Sequence, residues 1–81
     1  MKKIETEGIG TLFISKFDET ADSVCFYNEN QELICECDIS IVFDTADELG
    51  ISEKAAYNRL VEAIKECNFP FEFEMVTGYS L

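Results

Sequence analysis

The chain has 81 residues, and its 17 Asp and Glu against six Lys and Arg give a formal net charge of −11. Apolar residues make up 47%, which fits one folded domain over residues 1–81 and excludes a disordered acidic tail. The chain has no His, so Ser-His-Asp and Cys-His nucleophile systems and imidazole metal sites are excluded.

No run approaches the roughly 18 apolar residues of a membrane span. The opening Met1-Lys2-Lys3-Ile4-Glu5 lacks the apolar core of a signal peptide. A cytoplasmic location is therefore expected. There the four cysteines, Cys25, Cys35, Cys37 and Cys67, are expected to be buried thiols and not disulfides. A core built from 81 residues is small, and self-association into a homo-oligomer would add to its burial.

Ile9 to Phe17 is short, aromatic and β-branched, and reads as a first strand. Asp18 to Asp22 is a polar turn, and Ser23 to Tyr27 a second strand. Asn28 to Gln31 has the composition of a hairpin connection. Leu33, Cys35, Cys37, Ile39, Ile41 and Phe43 alternate with Ile34, Glu36, Asp38, Ser40, Val42 and Asp44, a period of two that predicts a long third strand. A turn centred on Glu29-Asn30 pairs Phe26 with Leu33 and Val24 with Cys35. It places Val24, Phe26, Leu33, Cys35 and Cys37 on one face, and Cys25 on the other.

Thr45 to Leu49 reads as a single helical turn stopped by Gly50. Ser52 then caps a helix over 53–67 whose apolar stripe is Tyr57, Leu60, Val61, Ile64 and Cys67. Phe69-Pro70 ends it, and the alternation of Phe71, Phe73 and Met75 with Glu72 and Glu74 predicts a last strand. Gly78 to Leu81 is expected to be a frayed tail. The expected fold is α+β, a small, mostly antiparallel sheet in the order β-β-β-α-β with one amphipathic helix on one face.

The charge disfavours free nucleic acid and anionic membranes as partners and favours a basic protein surface. Glu36/Asp38 and Glu72/Glu74 each stand two apart on an expected strand, about 6.6 Å along it. That is the scale of neighbouring phosphates. With Asp18, Glu19 and Asp22 at a loop rim they form the expected partner-binding face, an acidic ribbon that Arg and Lys of a nucleic-acid groove could grip. Cys35-x-Cys37 lacks the knuckle spacing of a zinc site, and with Cys25 facing away no metal site is expected. No Gly-rich phosphate cradle occurs, and neither an enzyme nor a cofactor is expected.

Residues 45–60, with Ala46, the Leu49-Gly50-Ile51-Ser52 turn and the closing Arg59-Leu60, resemble a helix-turn-helix. That resemblance implies a small DNA-binding regulator with Lys54, Asn58 and Arg59 as contacts. In size, charge and architecture the whole chain resembles the small acidic inhibitors that phages and mobile elements make against restriction or CRISPR nucleases. This second resemblance implies a non-enzymatic, anti-CRISPR-like or antirestriction-like nucleic-acid mimic that occupies the basic site of a nuclease or another nucleic-acid-binding protein. A third reading is an oligomeric accessory protein whose charge only keeps it in solution.

Overall fold

In the computed structural model, which describes all 81 residues, four short strands come first and three helices follow. The strands are β1 (Lys2–Glu5), β2 (Thr11–Ile14), β3 (Ser23–Tyr27) and β4 (Leu33–Asp38). The helices are α1 (Ser40–Leu49), α2 (Glu53–Lys65) and α3 (Pro70–Thr77). The strands form one antiparallel sheet in the order β1-β2-β3-β4. The expected β-β-β-α-β order with a single helix is therefore overturned.

Pairing puts the apolar residues on one face. Ile4 faces Leu12, Ile14 faces Phe26, Phe26 faces Cys35 and Val24 faces Cys37. Against this face lie Val42 and Ala46 of α1, the stripe Ala56, Tyr57, Leu60, Val61 and Ile64 of α2, and Phe73 of α3. Burial of each large aliphatic or aromatic side chain here stabilises the fold by about 1.5–3 kcal/mol. The helices thus cover one face of the sheet, and no helix is long and apolar enough to cross a membrane.

The β3–β4 register differs from the expected one by two residues: Val24 meets Cys37 and not Cys35. The reason lies in the turn. Asn28 Oδ1 accepts from the amides of Asn30 and Glu32 at 2.9 and 3.0 Å, and Gln31 adopts a left-handed φ of 64°. This longer loop shifts the pairing. Because strand periodicity is two, the core face survives a two-residue slide. The irregularity beside Tyr27 then sets Leu33 opposite Tyr27 and leaves Leu33 59% exposed, not in the core.

The long third strand stops at Asp38. The Asp38 carboxylate, one residue before the N-cap Ile39, accepts from the Ser40 amide at 2.9 Å and so satisfies a first-turn N–H that the Ile39 side chain cannot. From there Val42 and Ala46 recur at helical spacing and are buried. Helix α1 ends at Gly50, whose φ of 66° allows the amides of Gly50 and Ile51 to close on the Ala46 carbonyl. It is three turns long, not one.

Helix α2 begins as its sequence predicts. Ser52 Oγ accepts from the Ala55 amide at 3.1 Å, with Glu53 in the first turn and Lys65 in the last, both matched to the dipole. Its last turn is stitched to the β1–β2 connection: the amides of Glu7 and Gly8 donate to the carbonyls of Lys65 and Cys67, each at 3.0 Å.

The expected last strand is also a helix. Pro70 occupies the first turn of α3, where a missing N–H costs nothing. Glu72 Oε1 accepts from the Asn68 and Phe69 amides at 2.7 and 2.9 Å. Phe73 and Thr77, one turn apart, face the core, while Phe71 and Met75 point outward. The tail is tied down: the Tyr79 amide donates to Thr77 Oγ1 at 3.1 Å, and the Asp38 amide donates to the Tyr79 hydroxyl at 3.1 Å.

Candidate acidic interaction surface

Five of the seven acidic residues picked out by sequence gather at one end of the sheet. Asp18, Glu19 and Asp22 lie in the β2–β3 connection, and Glu36 and Asp38 at the C-terminal end of β4. Glu36 pairs with Cys25 and Asp38 with Ser23, so both point to the face away from the helices. The Ile39 amide donates to the Asp22 carbonyl at 3.0 Å and holds the loop against the strand end. Asp22, Ser23, Glu36, Cys37, Asp38 and Tyr79 line a shallow depression of about 330 Å³ there.

Local hydrogen bonds fix two of these carboxylates. Asp18 Oδ1 accepts from the hydroxyl and amide of Thr20 at 2.7 and 2.9 Å, and these bonds hold its pKa below the usual carboxylate value. The bond from the Ser40 amide does the same for Asp38. Both groups are fully exposed, so they carry their charge outward while their orientation is set by the backbone.

Glu72 and Glu74 do not join this surface as strand neighbours. Both are on α3. The Glu72 carboxylate caps that helix, and Glu74 accepts from the Ser80 hydroxyl at 3.2 Å. The two-strand acidic ribbon expected from sequence is thus reduced to Glu36 and Asp38 with the neighbouring loop. Tyr79, placed by sequence in a frayed tail, is instead part of the depression. No local sequence signal marks it, because its partner Asp38 is 41 residues away.

The charge is mostly unneutralised. Lys3 pairs with Glu5 and Lys65 with Glu62, each at 3.2 Å, and no other ion pair forms. Fifteen of the seventeen carboxylates therefore have no cationic partner.

The residues of the helix-turn-helix resemblance share α2, with Lys54 and Asn58 one turn apart, but do not make one basic face. The helices α1 and α2 do form a pair joined by Gly50, Ile51 and Ser52. Yet Lys54 Nζ lies over the rings of Phe17 and Tyr57, 5.5 and 5.4 Å from their centroids. Arg59 is five positions on, about 140° round the helix from Lys54. Lys65 is engaged by Glu62. Asn58 is exposed beside them. These cations do not form one face clear of carboxylates.

The thiols are dispersed. Cys35 and Cys37 Sγ are 3.7 Å apart on the core face, while Cys25 is on the outer face and Cys67 donates to the Ala63 carbonyl at 3.5 Å. Burial pushes the Cys37 thiol up to about 12 and raises those of Cys35 and Cys67. No group of three or more Cys, Asp or Glu side chains is arranged to hold a metal ion. The chain matches no protein-family model, no curated protein and no solved structure.

Proposed function

We propose that this chain is a non-enzymatic protein-binding protein whose acidic sheet end occupies a basic, nucleic-acid-binding site on another protein. The observation that carries this reading is the excess of fifteen carboxylates without an ion pair, five of them gathered at one end of the sheet. Glu36 and Asp38, about 6.6 Å apart along one strand face, offer two anionic groups at a spacing that Arg and Lys side chains grip on a nucleic-acid strand. Asp18 and Asp38 are oriented by backbone donors, so less side-chain freedom is lost on contact.

The test is capture from a cell lysate with the Glu36→Lys/Asp38→Asn variant as control. Asn retains a side-chain oxygen for the Ser40 amide, so the variant changes the charge without removing that hydrogen bond. The expected result is a basic nucleic-acid-binding protein, held by the native chain after nuclease treatment, released by salt, and lost from the variant. Equal capture by both chains would overturn the reading.

The α1–turn–α2 pair favours a second reading, a DNA-binding regulator using Lys54, Asn58 and Arg59. It expects duplex DNA in the untreated capture and loss of that DNA in a Lys54→Ala/Arg59→Ala variant. The charge of the pair stands against it: α1 carries Asp44, Asp47 and Glu48 with no cation, and phosphates would meet them.

A further inference from the structure

The helical layer carries an apolar groove that the acidic sheet end does not use. Ile41, Thr45 and Leu49 form one wall along α1, Leu60 and Ala63 the floor on α2, and Val76 the opposite wall on α3. The space is about 320 Å³. Ala63 and Thr45 are small, so a backbone can approach closely. Two of the wall residues are themselves exposed, Leu49 at 52% and Val76 at 36%. Met75 is beside Val76 on α3, and Phe71, one turn earlier, stacks on Phe69 at 5.9 Å. An apolar groove with exposed walls of this kind marks an interaction site.

Helical spacing sets what surrounds the groove. On α1, Asp44 and Glu48 flank the row Ile41, Thr45, Leu49 on its solvent side. Glu62 on α2 and Glu66 just after its end follow Arg59 outward from Ala63. Glu72 is one turn before Val76 on α3. Asp44, Glu48 and Glu66 thus stand at the rim without a cationic partner, while Glu62 is paired with Lys65, Glu72 is held by the Asn68 and Phe69 amides, and Arg59 lines the groove. A second copy of this chain, itself at a net charge of −11, would be repelled by that rim. A neutral apolar segment would leave the rim unanswered.

We infer that this groove receives a basic amphipathic helix of a partner protein, its apolar stripe against Leu49, Ala63 and Val76 and its Lys and Arg toward the acidic rim. This is helix-in-groove recognition, with anchors at one-turn spacing. It is independent of the sheet-end contact, because it uses the opposite layer of the fold.

The test uses a synthetic Leu/Lys peptide of about 14 residues with Leu on one helical face. A control has the same composition with the pattern scrambled. Binding is read by fluorescence anisotropy and mapped by amide chemical shifts. The patterned peptide is expected to bind saturably, to shift Thr45, Leu49, Ala63 and Val76, and to bind at least about tenfold more tightly than the scrambled one. Leu49→Lys, at an exposed site in the last turn where a cation suits the helix dipole, is expected to weaken binding about tenfold with an unchanged melting curve. The Glu36→Lys/Asp38→Asn variant is expected to bind the peptide as the native chain does. Equal binding of both peptides, or shifts centred on Glu36 and Asp38, would overturn the inference. So would a concentration-dependent dimer that Leu49→Lys dissociates and the peptide does not, which would assign the groove to a second copy.

Discussion

Phe73 meets Phe26 edge-on, with ring centroids 5.0 Å apart at 82°, and both rings are fully buried. The first residue comes from the last helix and the second from the centre of the sheet. Helix α3 has eight residues, too few to be stable alone. Its attachment therefore depends on this aromatic pair and on the cap from Glu72.

Phe73→Ala is expected to destabilise the fold by about 3–5 kcal/mol, the usual cost of emptying a buried aromatic site. Urea unfolding followed by far-UV circular dichroism measures it. Phe71→Ala, one helical face away and 60% exposed, is expected to change stability by less than about 0.5 kcal/mol. A strand with Phe71 and Phe73 on one face would give two similar losses.

Ser52→Ala is expected to cost about 1 kcal/mol, because the Ala55 amide loses its acceptor. Ser52→Asp is expected to restore most of that. A parallel pair of urea midpoints decides it.

A Cβ on Gly8 would run into the Asn68 backbone. Neither group is a flexible side-chain end, so the β1–β2 connection must lift off α2 and lose the Gly8 to Cys67 hydrogen bond. Gly8→Ala is expected to destabilise by at least about 1 kcal/mol, with faster amide exchange at Glu7 and Gly8.

Asp18 and Asp38 have pKa values lowered by hydrogen bonds to the folded backbone. Lowered folded values mean that their stabilisation is fully present above the unfolded value of 3.8 and is lost as pH falls through the lower folded value. The native chain is expected to melt at lower temperature below about pH 4. In an Asp18→Ala/Asp38→Ala variant the difference from native is expected to be largest near neutrality and to shrink in acid. A constant difference from pH 7 to 2.5 would contradict this.

Cys37 is fully buried and its thiol is pushed up to about 12, so it stays protonated at neutral pH. Iodoacetamide at pH 8 is expected to leave Cys37 and Cys67 intact in the folded chain and to modify both in urea. Mass mapping of tryptic peptides checks it.

Where local signals and burial agreed, the sequence was readable. Ser52 and the stripe from Tyr57 to Ile64 define α2 without ambiguity, and the cap is where the residues place it. Alternation misled at α1 and α3. Ile39, Ile41 and Phe43 obey a period of two by coincidence, while Val42 and Ala46, one turn apart, are the residues that enter the core. At α3, Pro70 and Glu72 are helix-start signals that the alternation of Phe71, Phe73 and Met75 obscured. Strand β1 was missed because an edge strand with Ile4 as its one buried residue has almost no pattern.

The acidic surface was legible in part for the same reason. Glu36 and Asp38 were placed on one strand face correctly, since β4 is a strand at those positions. Glu72 and Glu74 were grouped with them only through the strand that is a helix. Tyr79 was invisible, because its contact with Asp38 is tertiary. The groove between α1, α2 and α3 depends on two helices the alternation hid.

Asp38 ends a strand, holds the first amide of a helix and carries a surface charge with one side chain. Sequence drift at this position is therefore filtered by folding before any partner is met. Glu36, four residues before the helix begins and free of such duty, can exchange its charge without passing through a destabilised intermediate. Asn and Ser, which keep a short side-chain acceptor for the Ser40 amide, are the narrow route by which Asp38 could become neutral while the three helices stay in place.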